Sequence, residues 1–157
     1  MSGQASPPLK IISQKETSLS KVLHNIRENT WTRIKPSKIQ GVGVFAIRKI
    51  KSGTNLFPET KVNFEFITWN QLGHVSPAVR KMIHDFFVDN DFGFWCPNQS
   101  INQLNISFYL NHSTTPNCYH SEAGEIFAIK DISVGQELTL NYSDFDEDDE
   151  PPKMVVG

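Results

Sequence analysis

The sequence predicts an α+β fold that is rich in short strands. Between residues 31 and 143, short apolar runs alternate with polar residues, as at Val62, Phe64 and Phe66, and turn residues separate one run from the next. One stretch instead repeats its apolar residues at helical spacing, directly behind Ser76-Pro77. The length of 157 residues fits one domain with its own core. We therefore predict one strand-rich domain with a helical segment inside it.

The first 30 residues are predicted to form a flexible arm followed by a helix. Residues 1–15 contain Ser, Gly, Gln and Pro without a sustained apolar period, which is typical of a flexible arm. A helix is predicted over residues 16–30, with Ser18 as its N-cap. Its apolar residues have the i, i+3, i+4, i+7 spacing of one helix face: Leu19, Val22, Leu23 and Ile26.

From residue 31 onward the pattern is mainly that of strands. Strand-like runs are predicted at residues 31–34, 44–47, 54–57, 61–67, 125–129 and 137–140, with a turn at Ser133-Val134-Gly135 before the last. A helix is predicted over residues 76–89, with Ser76 as its N-cap and Pro77 at its first position. Its apolar face consists of Val79, Met82, Ile83, Phe86 and Phe87. After residues 92–95 the pattern is less regular, until the run at residues 125–129.

Charge is unevenly distributed along the chain. There are 15 basic and 17 acidic residues, and six of the acids lie between Asp144 and Glu150. Residues 144–157 are therefore predicted to form a solvated acidic tail behind a mildly basic body. This balance is too weak to predict nucleic-acid binding, which usually needs a strong basic stripe.

The sequence also argues against a membrane protein, a disulfide-rich secreted protein and a metal-binding protein. No apolar run approaches the roughly 20 residues of a membrane-spanning helix, and the first residues lack the apolar region of a secretory signal. We therefore expect an intracellular protein, nuclear or cytoplasmic. Cys96 and Cys118 are too few for a disulfide scaffold, although one bridge between them stays open. With His112 and His120 they have metal-ligand atoms, but without a Cys-x-x-Cys pair no metal site is predicted.

Three clusters of residues could carry chemistry. Gly41-Val42-Gly43 precedes a strand, where paired glycines allow a close ligand approach or a tight turn, and the missing third glycine excludes a dinucleotide fingerprint. Residues 107–118 place Asn111-His112-Ser113 directly after an apolar run, and the alternative there is a polar loop that caps its own backbone. Residues 135–142 are a turn and a strand that ends in a tyrosine.

In this order and at these separations, the three clusters resemble the SET-domain family of protein lysine methyltransferases. The resemblance begins at Ile39-Gln40-Gly41-Val42-Gly43-Val44-Phe45-Ala46, includes Asn111 to Asn117, and ends with the Gly-x-Glu-Leu-Thr-x-x-Tyr motif at Gly135 to Tyr142. It covers residues 31–143 and implies several short curved sheets with a threaded C-terminal segment. Residues 62–100 would be the variable insertion that lines the substrate groove in this family.

The resemblance implies S-adenosylmethionine as the cofactor and Tyr142 as the catalytic tyrosine beside the transferring methyl group. The residues implied to contact the cofactor are Gly41, Val42, Gly43, Tyr109, Asn111, His112 and Tyr142. The implied lysine channel consists of Leu140, Tyr142 and Phe145. Phe145 is the candidate lid, because no cysteine follows Cys118 and the zinc-binding segment that closes the channel in other members is expected to be absent.

The implied activity is transfer of a methyl group from S-adenosylmethionine to a lysine side chain of a protein such as a histone or a ribosomal protein. Because methyl transfer is an in-line displacement on a sulfonium, the protein has to align donor and acceptor and exclude water. The alternative is a non-catalytic SET-like module that binds a basic peptide or protein. The joint presence of Asn111, His112 and Tyr142 argues against that alternative. No contact with nucleic acid or membrane is expected, and oligomerisation stays open.

Overall fold

The structure is a computed structural model that describes residues 18–58, 60 and 62–145, the last by its backbone only. The predicted arm of residues 1–15 and most of the predicted acidic tail lie outside these residues. The chain divides into two compact units, Met1–Trp31 and Thr32–Gly157.

The described part of the first unit is helical, as the apolar spacing predicts. Residues 18–24 form an α-helix that continues into one π-helical turn, Asn25–Asn29. Thr30 follows in extended conformation, and its hydroxyl donates to the carbonyl of Asn25 at 3.1 Å. The prediction that Ser18 is the N-cap is wrong, because Ser18 is itself helical and the helix therefore begins no later than that residue.

In the described part of the second unit, eight short strands are grouped into three sheets. In chain order they are β1 (Thr32–Pro36), β2 (Val42–Ala46), β3 (Phe64–Thr68), β4 (Gly93–Pro97), β5 (Asn111–His112), β6 (Cys118–His120), β7 (Ile126–Ala128) and β8 (Glu137–Leu140). The main sheet has the order β1-β2-β8-β5, in which β5 and β8 are parallel and the other pairs antiparallel. β3 pairs with β4, and β6 pairs with β7. The predicted α+β, strand-rich class is confirmed.

Most predicted strands agree with the structure to within a few residues, but the one at residues 54–57 is wrong. That segment forms only an isolated bridge, Asn55 to Phe127. The side chain of Asn55 accepts a hydrogen bond from the backbone N–H of Phe57 at 3.2 Å, and this local turn bends the chain away from extended pairing. Residues 92–95, after which the pattern becomes less regular, lie largely within β4.

The predicted insertion, residues 62–100, contains β3, β4 and two helices between them. These helices are α1 (Trp69–Leu72) and α2 (Pro77–Phe86). Ser76 caps α2 as predicted, since its hydroxyl accepts from the N–H of Val79 at 3.3 Å. The helix ends at Phe86 rather than near residue 89, because Phe87 takes an extended conformation. The insertion has its own buried cluster of Ile83, Phe87, Phe94 and Cys96.

The remaining core lies under the main sheet and the β6–β7 hairpin. Its buried apolar side chains include Val44, Ile50, Leu56, Leu110, Cys118, Ile126, Ile132, Leu138 and Leu140. Cys96 and Cys118 are both free, buried thiols, so no disulfide joins them. Burial raises the pKa of Cys118 to about 12, and it also raises that of Cys96. Neither thiol has the thiolate character of a reactive cysteine.

Candidate active site

The three clusters predicted from the sequence meet at β8. β2, which contains Val42 and Gly43, pairs with one edge of β8, and β5, formed by Asn111 and His112, pairs with its other edge. Tyr142 begins a short 3₁₀ helix directly after this strand. The chain therefore brings together segments that are about a hundred residues apart in sequence, which is the arrangement that the motif order predicts.

Asn111 connects residues 40–43, here called the glycine loop, to β8. Its side chain is buried, with 9% exposed. The amide nitrogen donates to the carbonyl oxygens of Gln40 and Val42, at 3.3 and 3.0 Å, and to Glu137 Oε1 at 2.8 Å. Because these acceptors occupy both N–H groups, the oxygen Oδ1 is the atom of this side chain that remains for a ligand.

Glu137 is the hub of this part of the site, and sequence reasoning did not single it out. Its carboxylate accepts hydrogen bonds from Asn111 and also from the hydroxyl of Ser37, at 2.8 and 3.0 Å. A Cβ at Gly43 would lie 2.1 Å from Glu137 Oε1, whereas a Cβ at Gly41 would meet nothing within 4 Å. A Cβ at Gly43 would therefore displace the Glu137 carboxylate from its hydrogen bonds to Asn111 and Ser37. Gly41, with a φ of 47°, is required by the turn and leaves its outer side open.

We expect Gly43→Ala to destabilise the protein by about 1–3 kcal/mol through its clash with Glu137. In a Glu137→Ala background the same substitution should be much less harmful, because the carboxylate is gone. Gly41→Ala is the matched control and should cost about 1 kcal/mol from its positive φ in both backgrounds. Urea unfolding of the single and double variants measures these differences, and additive effects of Gly43→Ala and Glu137→Ala would contradict the clash.

His112 and Tyr142 are held against each other. The backbone N–H of Tyr142 donates to His112 Nδ1 at 3.1 Å, and the two rings lie 5.3 Å apart. A neutral imidazole that accepts at Nδ1 has its proton on Nε2, which is then available as a donor to a ligand. The hydroxyl of Tyr142 donates to the carbonyl of Leu110 at 2.5 Å, and burial raises its pKa. This tyrosine is therefore neutral and fixed in orientation at neutral pH.

Asn117 is a second structural residue that the sequence analysis quoted within its motif but did not assign to the site. It is 4% exposed, and its side-chain amide bonds to β8 as a peptide group would. The nitrogen donates to the carbonyl of Glu137 at 2.8 Å, and the oxygen accepts from the N–H of Thr139 at 2.9 Å. The signal that could have found Asn117 is a polar residue directly after Pro116 and directly before β6.

A cleft of about 710 Å³ lies beside Tyr142. Its walls come from the insertion, from the β6–β7 hairpin and from the end of β8, where Leu140 and Tyr142 line it. Two of the three predicted channel residues thus share one cavity, and the side chain of the third, Phe145, lies outside the described part of the chain. The ring of Tyr109 packs edge-on against Phe86 at 5.8 Å, so it contacts the insertion.

Tyr142 lies between this cleft and the Asn111–His112 pair. It lines the cleft with its side chain and bonds to His112 through its backbone. The other predicted cofactor contacts, Gly41 to Gly43, do not line the cleft. Within residues 18–58, 60 and 62–145, no His, Cys, Asp and Glu side chains cluster as metal ligands, and no helix is long and apolar enough to cross a membrane.

Comparison with known proteins identifies the family. The model of the family described as SET domain matches residues 41–143. The chain belongs to the SET-domain family. The matched range begins at the glycine pair and ends one residue after Tyr142, so it contains all three clusters that meet at β8. Membership of this family supports a methyltransferase activity.

Solved structures also resemble this SET domain. A humanized mutant of the Chaetomium thermophilum Polycomb Repressive Complex 2, bound to the inhibitor GSK126, is 23% identical with a TM-score of 0.50 and covers 82% of this chain and 18% of that one. A proposed histone methyltransferase of Plasmodium falciparum is 18% identical with a TM-score of 0.46 and covers 72% of this chain and 93% of that one. At 23% identity, the likeness to the Chaetomium thermophilum structure shows a shared fold alone. A search of curated proteins found no match.

Proposed function

We propose that this SET domain is an S-adenosylmethionine-dependent protein-lysine N-methyltransferase. The observation that carries the proposal is the position of Tyr142. Its side chain lines the cleft, while its backbone is bonded to His112, beside the glycine loop that Asn111 holds. A residue in this position can touch a substrate in the cleft and a cofactor on the other side. A module that only binds a peptide has no need of this junction.

The residues at the glycine loop fit the methionine part of S-adenosylmethionine. The outer side of Gly41 is open, and Val42 is exposed. Asn111 Oδ1 can accept a hydrogen bond from an ammonium group, and His112 Nε2–H can donate to a carboxylate. This pairing of acceptor and donor suits an amino-acid zwitterion. When bound, S-adenosylmethionine supplies an electrophilic methyl group on a sulfonium.

The task of the protein's own residues is to hold a neutral lysine amine in line and to exclude water. The Tyr142 hydroxyl donates a hydrogen bond to the carbonyl oxygen of Leu110. The lone pairs of the hydroxyl oxygen can therefore accept a hydrogen bond from an amine N–H. Leu140, which is buried, provides an apolar wall beside this point. Such surroundings disfavour the ammonium form of lysine and so favour the nucleophilic amine. Positioning and desolvation, rather than a strong base, would then account for the rate.

The proposed substrate is a lysine-containing protein, such as a histone or a ribosomal protein. The test incubates the full chain with S-adenosylmethionine labelled in its methyl group, together with purified histones, ribosomal proteins and a cell extract. Acid hydrolysis then identifies the labelled amino acid. Labelled methyl-lysine that depends on the enzyme supports the proposal. Failure of the chain to bind S-adenosylmethionine in calorimetry would overturn it and favour the peptide-binding module.

A further inference from the structure

Besides Tyr142, six Phe and Trp side chains line the cleft. They come from the insertion and the segments that flank it, and they are Phe57, Phe64, Phe86, Phe87, Trp95 and Phe108. Phe64 is 44% exposed and Trp95 is 40% exposed, so ring faces are available to a ligand. The rings are held by one another, with Phe66 edge-on to Trp95 at 5.3 Å and Phe64 at 6.1 Å from Phe108. The cleft thus presents aromatic rings that pack against neighbouring rings.

Acidic groups lie around this aromatic surface. Asp85 and Asp89 come from the end of α2 and the residues after it, and Glu125 comes from the β6–β7 hairpin, so carboxylates belong to two separate walls. Among the lining residues that the structure describes there is no lysine or arginine. Burial lowers the pKa of His120, which also lines the cleft, so this histidine adds no positive charge at neutral pH.

These carboxylates have capacity for a further cation. Glu125 Oε1 accepts from the side-chain amide of Asn55 at 2.9 Å, and that neutral partner leaves the charge of Glu125 uncompensated. Asp85 pairs with Lys81 at 2.7 Å on the exposed face of α2, and exposed pairs of this kind contribute little and exchange readily. Asp89 is bonded to His84 at 2.5 Å and so is the least available of the three.

We propose that the cleft binds an arginine side chain of the substrate protein, close in sequence to the lysine that is held at Tyr142. A planar guanidinium can stack on an aromatic face and also form paired hydrogen bonds to a carboxylate, whereas an ammonium is a compact, strongly hydrated charge. The aromatic surface and the flanking carboxylates therefore match arginine better than lysine. The role of the neighbouring lysine depends on the proposed function, but the arginine site is tested by binding alone.

The test measures binding of a short fluorescein-labelled alanine–glycine peptide that contains one arginine and, a few residues away, one lysine. Fluorescence anisotropy gives the Kd for the full chain without cofactor. Two matched peptides replace the arginine with citrulline, its neutral isostere, or with a second lysine. The variants are Glu125→Gln and Asp85→Asn, and Asp91→Asn is a control that removes the same charge at an exposed residue outside the lining of the cleft. Thermal melts establish that each variant is folded.

We expect the arginine peptide to bind about 10-fold more tightly than either matched peptide, as charge-assisted hydrogen bonds imply. Glu125→Gln or Asp85→Asn should weaken the arginine peptide by a similar factor and leave the citrulline peptide unchanged, while Asp91→Asn should have little effect. Equal Kd values for the three peptides would overturn the arginine site, as would equal effects of all three variants. Because no methyl transfer is measured, either result is independent of whether the chain is a methyltransferase.

Discussion

Tyr142→Phe is expected to lower kcat for methyl transfer about 100-fold and to leave the protein folded. The variant keeps the ring that lines the cleft and the backbone bond to His112, and it removes only the hydroxyl oxygen. That oxygen is fixed by its bond to Leu110, so it is the one polar atom of Tyr142 that can orient an amine in the cleft. The lost hydrogen bond should lower stability by about 1 kcal/mol. Single-turnover assays with labelled S-adenosylmethionine measure the rate.

Tyr119→Phe is the matched control for this experiment. Tyr119 is 43% exposed, close to the 48% of Tyr142, but it lies on β6 and stacks on Phe127. It should retain the wild-type rate. The raised pKa of Tyr142 also predicts how the free energy of unfolding changes with pH. The contribution of the neutral hydroxyl is complete below the ordinary tyrosine pKa and is lost as pH rises through the raised pKa. Wild-type kcat in Tyr142→Phe would remove this residue from the mechanism.

The order of the motifs predicted the fold well because each cluster combines a turn with a strand. The alternation at residues 137–140 places Leu138 and Leu140 in the core, and the structure has β8 at these residues. The failure at residues 54–57 has a local cause, because an apolar alternation does not reveal that the Asn55 side chain competes for the backbone. Boundaries set by such side-chain bonds are invisible to periodicity.

The candidate site was predicted in part for the same reason. Asn111 and Tyr142 belong to recognisable motifs, and the structure places both beside β8. The bond between Ser37 and Glu137, by contrast, joins residues a hundred positions apart, and the motif that contains Glu137 does not indicate Ser37 as its partner. Long-range polar contacts of this kind follow from the topology of the sheet. The cleft likewise depends on how the insertion packs, which no single segment determines.

Asn117→Asp is expected to destabilise the protein by about 3 kcal/mol or more at neutral pH, which is the cost of an uncompensated buried charge. The buried amide of Asn117 donates to the carbonyl of Glu137 and accepts from the N–H of Thr139. An aspartate can replace only the second bond, and it places a buried negative charge against a carbonyl oxygen that has lost its donor. Because Asn117 holds β8 in place through Glu137, the hydrogen bond between Asn111 and Glu137 should weaken as well.

The pH dependence of this variant identifies the cause of the loss. Burial should raise the pKa of the new carboxyl above its unfolded value, so the stability of Asn117→Asp should recover as pH falls through that pKa, when the protonated acid can again donate to Glu137. Asn102→Asp makes the same change at an exposed residue and should stay within about 0.5 kcal/mol of wild type. Urea unfolding at neutral and mildly acidic pH measures both variants. A loss in Asn117→Asp that does not diminish in acid would show that the missing donor at β8 is not its cause.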